Sequence, residues 1–270
     1  MIDPRTADDC AVSAVVLTLD EERRIERAVM SLAWCDEIVI VDGGSSDGTL
    51  AILERLRAQG LPLRVVERAW PDSFGAQKRF AVEQARGPWI LSIDADEVVD
   101  SQLRDAIRAV VTEPPPGVDG FSVLRRNRFM GVVLTTSGQR EDRPLRLFRK
   151  GAANFTDDRV HEHVECAGTV GRLDGVLEHH SDQSVVARVD RVKRYSSLIA
   201  RQLHERGEAL PTVRIVLGPL RTFLRTYVVL RGYRQGVPGL VWCSAMSAED
   251  FLGRAKLWQL QRAGRRGAHG

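Results

Sequence analysis

The sequence predicts an α/β fold on a mostly parallel sheet, closed by a helical, basic C-terminal tail. Three observations carry that reading. Four apolar runs rich in β-branched residues alternate with helical patterns over the first hundred residues, the order that yields parallel strands joined by right-handed crossovers. Three of these runs lead into an acid, at Asp20, Asp42 and Asp94, and ligands of such sheets gather beyond the carboxyl ends of the strands. From residue 186 onward the chain holds 16 Lys/Arg against 5 Asp/Glu, which leaves 23 against 31 before it.

Each element follows in order. Residues 11–19 are a β-rich apolar run, as a strand buried on both faces should be. A polar break precedes a helical pattern through Ile25, Ala28, Val29 and Leu32. Residues 37–42 form a second buried strand, 43–48 a glycine-rich turn, and 49–58 a helix. A third strand covers 63–67, a helix 75–86, and a fourth strand 88–94. A helix is expected from Asp100 to Val111, broken by the prolines at 114–116. Residues 118–180 read as mixed strands and loops, and 186–270 as amphipathic helix. The division expected is a nucleotide-binding catalytic domain over 1–185 and a tail over 186–270.

Length and composition bound the function. A chain of 270 residues suits one α/β domain with a helical appendage, and 43% hydrophobic with 28% charged residues excludes a disordered chain. Cys10, Cys35, Cys166 and Cys243 form no C-x-x-C pair, against a zinc ribbon or a disulfide framework and in favour of a reducing compartment. The first ten residues are acidic and polar, unlike a signal peptide. The best membrane-span candidate, 213–232, is interrupted by Arg214, Arg221, Arg225 and Arg231. The expectation is a cytoplasmic protein, peripheral on the inner face of the membrane, whose tail meets an anionic lipid surface. Packing of that tail on the catalytic domain or on a second subunit is the competing expectation, so oligomerisation stays open. Gly218-Pro219 is expected to break the tail helix. Nucleic acid is not expected, because the basic charge comes with aliphatic faces and no recognition module.

The chemistry is concentrated at strand ends. In Asp94-Ala95-Asp96 two carboxylates, two residues apart, can share a hard divalent cation, which would neutralise a diphosphate leaving group. An acidic turn in solvent has the same pattern, so the motif alone decides nothing. Asp42, before its glycine turn, could accept from a nucleobase or ribose hydroxyl, as could Asp20 and Glu21. Helix N-capping is the alternative for Asp20 and Glu21. The turn 43–48 is neither a Walker loop nor a G-x-G-x-x-G fingerprint. Gln77, Lys78 and Arg79 lie on a helix where a cation could meet a phosphate.

Together the motifs are recognisable. Val16-Leu17-Thr18-Leu19-Asp20-Glu21-Glu22, the run Asp36 to Thr49, Phe74-Gly75-Ala76-Gln77-Lys78 and Trp89 to Glu97 occur in order. The chain resembles the family 2 glycosyltransferases of GT-A fold, especially short bacterial members similar to the lipopolysaccharide inner-core β-glucosyltransferases. The likeness continues through Arg146-Leu147-Phe148-Arg149, Val160-His161-Glu162-His163 and the tail. Two positions depart from the family pattern, Asp20 and Arg79, where Asn is usual.

What the resemblance implies is specific. Thr18, Asp20, Glu21, Asp42, Gln77, Lys78 and Asp94 would bind the donor, a nucleotide diphosphate sugar such as UDP-glucose. Asp94 and Asp96 would hold Mg²⁺ or Mn²⁺, and from their position beyond the next strand His179 and His180 could supply a metal ligand or a phosphate contact. Glu162 would be the general base of an inverting transfer to a hydroxyl of a lipid-linked glycan, with Asp157 and Asp158 as competitors. The histidines at 161 and 163 lack a third zinc ligand of convincing spacing. Sugar transfer to a polyprenyl phosphate, a nucleotidyltransferase and a non-catalytic membrane-associated binding protein are the alternatives.

Overall fold

The computed structural model describes residues 11–71, 73–140, 142–156, 163–181, 184–208 and 210–267. Contacts divide the chain into two units. The first comprises Met1–Arg125 with Arg143–His179, and the second Arg126–Asp142 with His180–Gly270. The second unit therefore holds the tail and, in addition, a segment from the middle of the chain.

In the first unit the expected strands appear as β1 (Val12–Thr18), β2 (Glu37–Asp42), β3 (Leu63–Glu67) and β4 (Trp89–Asp94). They lie in the order β3-β2-β1-β4, all parallel. The helices between them are α1 (Ile25–Met30), α2 (Thr49–Ala58) and α3 (Phe74–Gln84). After β4 come the short β5 (Glu97–Val99) and α4 (Ser101–Thr112). The middle segment forms β6 (Val118–Phe129), β7 (Val132–Val133), β8 (Leu145–Arg149), β9 (Ala153–Phe155), β10 (Val164–Cys166) and β11 (Thr169–His180). Strands β8, β6, β11 and β5 continue the sheet beyond β4, with β8 antiparallel to β4, and β9 pairs with β10 separately. The result is a mixed α/β sheet with a parallel half.

Alternation along each strand sorts the core, because successive side chains point to opposite faces. Ala14, Val16, Ile38, Ile40, Leu91 and Ile93 face one side, with Ile25, Val29, Leu53, Leu56, Leu103 and Ile107 of α1, α2 and α4. Val15, Val39, Val41 and Ile90 face the other, with Ala81 and Val82 of α3. Both faces of the parallel strands are covered, which is why their sequences read as near-continuous apolar runs.

In the second unit the tail is helical: α5 (Val185–Glu205), α6 (Val213–Phe223), a π-helical turn (Leu224–Val229), a 3₁₀ turn (Gly232–Gln235) and α7 (Gly236–Gly267). Contrary to the sequence expectation, Gly218-Pro219 does not break α6. Proline removes one helical N–H, but tertiary contacts from α7 hold the segment. The Ser247 hydroxyl donates to the Pro219 carbonyl at 2.9 Å, and the Thr222 hydroxyl donates to Asp250 at 3.0 Å. No helix among the described residues is long and apolar enough to cross a membrane.

Candidate active site

The parallel register brings the predicted residues to one edge. Thr18 pairs with Asp42 and Leu17 with Asp94, so the ends of β1, β2 and β4 stand side by side. Thr18, Asp42, Gln77, Lys78 and Asp96 are all buried. The Thr18 hydroxyl and the Gln77 side-chain carbonyl have no hydrogen-bond partner among the described residues, while the Gln77 amide donates to the Arg68 carbonyl at 3.1 Å.

The acids of the first two loops are occupied in clasping those loops. Asp42 accepts from the Gly44 and Ser45 N–H groups at 2.9 and 2.8 Å and from the Ser45 hydroxyl at 2.5 Å. Gly44, at φ +99, permits the turn. Asp20, itself at φ 56, accepts from the Ser46 N–H at 2.7 Å. Glu21 and Glu22 donate their N–H groups to Thr49 Oγ1 at 2.8 Å and Asp47 Oδ2 at 3.1 Å. Neither Asp20 nor Glu21 caps α1, whose N-cap position is Arg24; the left-handed turn at Asp20 carries the chain across to the second loop instead. Arg79 donates to the Phe155 carbonyl at 3.3 Å.

Asp94 lies between two cations. Lys78 Nζ is 3.0 Å from its Oδ1 and Arg146 Nη2 is 2.7 Å from its Oδ2. Burial alone would raise the Asp94 carboxyl, but Arg146 and then Lys78 outweigh it and hold the group well below the ordinary 3.8. Arg146 also reaches the fully buried Glu97 at 2.5 Å, and Arg125 approaches Glu97 at 3.4 Å. Burial opposes the charge of Arg146, yet Asp94 and Glu97 raise its pKa above the usual value. The other oxygen of Glu97 accepts the Asp94 N–H at 3.0 Å. Arg146 and Glu97 stand in the family motifs of the sequence without an assigned role; the arginine is 52 residues from Asp94, and the antiparallel return of β8 beside β4 joins them.

Asp96 points elsewhere. Strand β11 runs antiparallel to β5, with His179 opposite Glu97. That register sets His179 Nε2 3.2 Å from Asp96 Oδ2. The structure thus pairs Asp96 with His179 and Asp94 with Lys78 and Arg146. No group of three His, Cys, Asp or Glu side chains able to hold a metal is found among the described residues. Glu162, with Asp157, Asp158 and His161, lies outside the described residues.

The model of glycosyl transferase family 2 matches residues 13–180, which span this whole edge. The chain belongs to glycosyl transferase family 2. Among curated proteins, this glycosyltransferase is 34% identical over 250 residues to the lipopolysaccharide core biosynthesis glycosyltransferase LpsC of Rhizobium meliloti, covering 92% of each chain. It is 29% identical to an uncharacterized glycosyltransferase of Rickettsia prowazekii, covering 92% of this chain and 87% of that one. Among solved structures, the mannosyltransferase PcManGT of Pyrobaculum calidifontis, held in complex with GDP-Man and Mn²⁺, aligns with a TM-score of 0.53 at 16% identity. That alignment covers 92% of this chain and 87% of the other, and it shows a common GT-A fold. The parallel half of the family 2 enzyme is the part most legible in its sequence, and the Arg146–Glu97 support behind Asp94 is the part least so.

Proposed function

We propose that this glycosyltransferase moves a hexose from a nucleotide diphosphate sugar, UDP-glucose by family resemblance, to a hydroxyl of a lipid-linked glycan such as lipopolysaccharide core. The observation that carries the reading is the pair of charged groupings at the end of β4: its last residue Asp94 between Lys78 and Arg146, and Asp96 against His179. A carboxylate and an imidazole are fitting ligands for a divalent ion, and two protein ligands leave coordination positions for diphosphate oxygens. Asp96 and His179 would hold Mg²⁺ or Mn²⁺, and the bound ion would neutralise charge on the departing nucleoside diphosphate. Lys78 and Arg146 keep the neighbourhood of Asp94 close to neutral, so an anionic donor meets less repulsion there.

Thr18 ends β1 beside Asp42, and by family resemblance it and Gln77 bear on the nucleoside end of the donor. Asp42 and Glu21 bear on that end of the donor through the two clasped loops. Glu162 takes the acceptor proton in this reading, and the transfer inverts the anomeric centre, as the family resemblance implies. The similarity to LpsC over nearly the whole of both chains supports lipopolysaccharide core as the acceptor class.

Calorimetric titration of nucleoside diphosphates and their sugars, with Mn²⁺ or Mg²⁺ and then with chelator, tests the reading. One nucleotide should bind in a metal-dependent manner, and Asp96→Asn and His179→Gln should each remove the metal-dependent part. Glu162→Gln should retain that binding and lose transfer to the hydroxyl acceptor by about 10²-fold or more. Folded protein that binds no nucleotide overturns the proposal.

A further inference from the structure

Within the second unit, α6 and the π-helical turn after it turn a stripe of large aliphatics outward. The side toward α7 combines small and hydroxylated residues with Phe223 and Tyr227, which pack on the cluster around Trp242 and Cys243. Pro219 and Thr226 are buried, Thr222 bonds to Asp250, and a Cβ on Gly218 would lie 2.5 Å from Arg254 Nε. The large aliphatics point the other way. Val213, Leu217, Leu220, Leu224 and Val228 are between 47% and 59% exposed, and their spacing of three and four residues puts them on one stripe. A helical segment that turns such an aliphatic stripe to water, beside a face already packed on α7, needs a partner for the stripe.

The charges identify the partner. Between Glu208 and Glu249 the chain carries five arginines, at 214, 221, 225, 231 and 234, and no Asp or Glu. Arg214, Arg221 and Arg225 are exposed, and the helical period places them about 100° around from the aliphatic stripe, along one flank. We propose that this face docks on an anionic phospholipid bilayer, with the aliphatic stripe at the boundary of headgroups and acyl chains and the arginines on lipid phosphates. A second copy fits less well. In a two-fold contact the patch meets itself, and the flanking arginines of each copy would meet those of the other with no acid in the segment to answer them. The inference deepens the reading of the acceptor as lipid-linked and rests on it for its purpose, but not for its test.

That test is sedimentation with large vesicles of phosphatidylcholine alone and with 30% phosphatidylglycerol, at 0.1 M salt. The protein should bind the anionic vesicles at least tenfold more tightly. Leu217→Asp with Leu220→Asp should abolish binding, and each of Arg221→Gln and Arg225→Gln should weaken it about fivefold. All four side chains are exposed, and the melting temperature of each variant shows that it is folded. Equal binding to both vesicles, or binding to neither, overturns the proposal. So does a concentration-dependent dimer that Leu220→Asp breaks, which would give the face to a second copy. Nucleotide titration of the same variants reports separately on the donor site, so failure of one reading is distinguishable from failure of the other.

Discussion

Asp94 and Glu97 are two carboxylates three residues apart, and one guanidinium answers both. Glu97 is wholly buried, so among the described residues removing Arg146 leaves an interior charge with the Arg125 contact and one backbone N–H beside it. Breaking such a buried pair from one side costs about 3–5 kcal/mol. Arg146→Met should therefore lower stability by about that much in urea unfolding, and adding Glu97→Gln should recover a large part of it. The pH dependence has a definite sign. Asp94 is held below 3.8 in the folded chain, so between that depressed value and 3.8 the unfolded chain binds more protons. Stability from this group is complete above the ordinary value and declines as the pH falls toward the depressed one. In Arg146→Met the folded value rises toward the ordinary one, so this decline should shrink, visible as a weaker dependence of stability on pH below 3.8 in acid unfolding curves; an unchanged pH dependence would mean that Arg146 does not govern Asp94. The sequence offers Asp94 through its strand end and Lys78 through its helix. It marks Arg146 only as part of a family motif and assigns it no role, because an arginine inside a strand reads as an outward-facing side chain until its partner strand is known.

The element that matters most for His179 is β11, and it is fixed from outside the site. Gly175 adopts φ +93, and a Cβ there would lie 2.2 Å from the Leu103 N atom. Only glycine lets β11 pass the first turn of α4 so closely. Asp100 completes the clip: its carboxylate accepts the Leu103 N–H at 2.7 Å, capping α4, and the Val176 N–H at 3.1 Å. Gly175→Ala should cost about 3 kcal/mol or more and, by displacing β11, weaken the metal-dependent nucleotide binding proposed for Asp96 and His179. Asp100→Ala should cost about 1–2 kcal/mol as a lost cap. Thermal melts paired with nucleotide titration check both; a destabilised Gly175→Ala that binds metal and nucleotide normally would show that β11 does not place His179. The boundaries of β2 and α2 follow from local pattern, since Glu37–Asp42 and Thr49–Ala58 begin and end where the apolar and turn residues indicate. The antiparallel strands β6, β8 and β11 are different. Their pairing joins residues tens of positions apart, so sequence reads them only as strands and loops without order. The continuity of α6 through Pro219 is likewise decided by α7, a tertiary effect that overrides a local propensity.

At the scale of the molecule, charge is divided along the chain: the residues before 186 are net acidic, and those after it carry 16 Lys/Arg against 5 Asp/Glu. The two sets of cations differ in setting. Arg214, Arg221 and Arg225 are exposed, whereas Lys78 and Arg146 are buried against carboxylates. Salt discriminates between these settings, because the screening length shrinks from about 10 Å at 0.1 M to about 3 Å at 1 M and acts mainly on exposed charge. Raising the salt from 0.05 to 0.5 M should therefore weaken association with anionic vesicles by more than about tenfold. The melting temperature, to which the Lys78–Asp94–Arg146 cluster contributes, should shift far less over the same range. Sedimentation and thermal melts on the same samples measure both. Loss of both in parallel would mean that exposed tail charges hold the fold together, and the arginines would then belong to the architecture of the second unit and not to a surface that meets lipid.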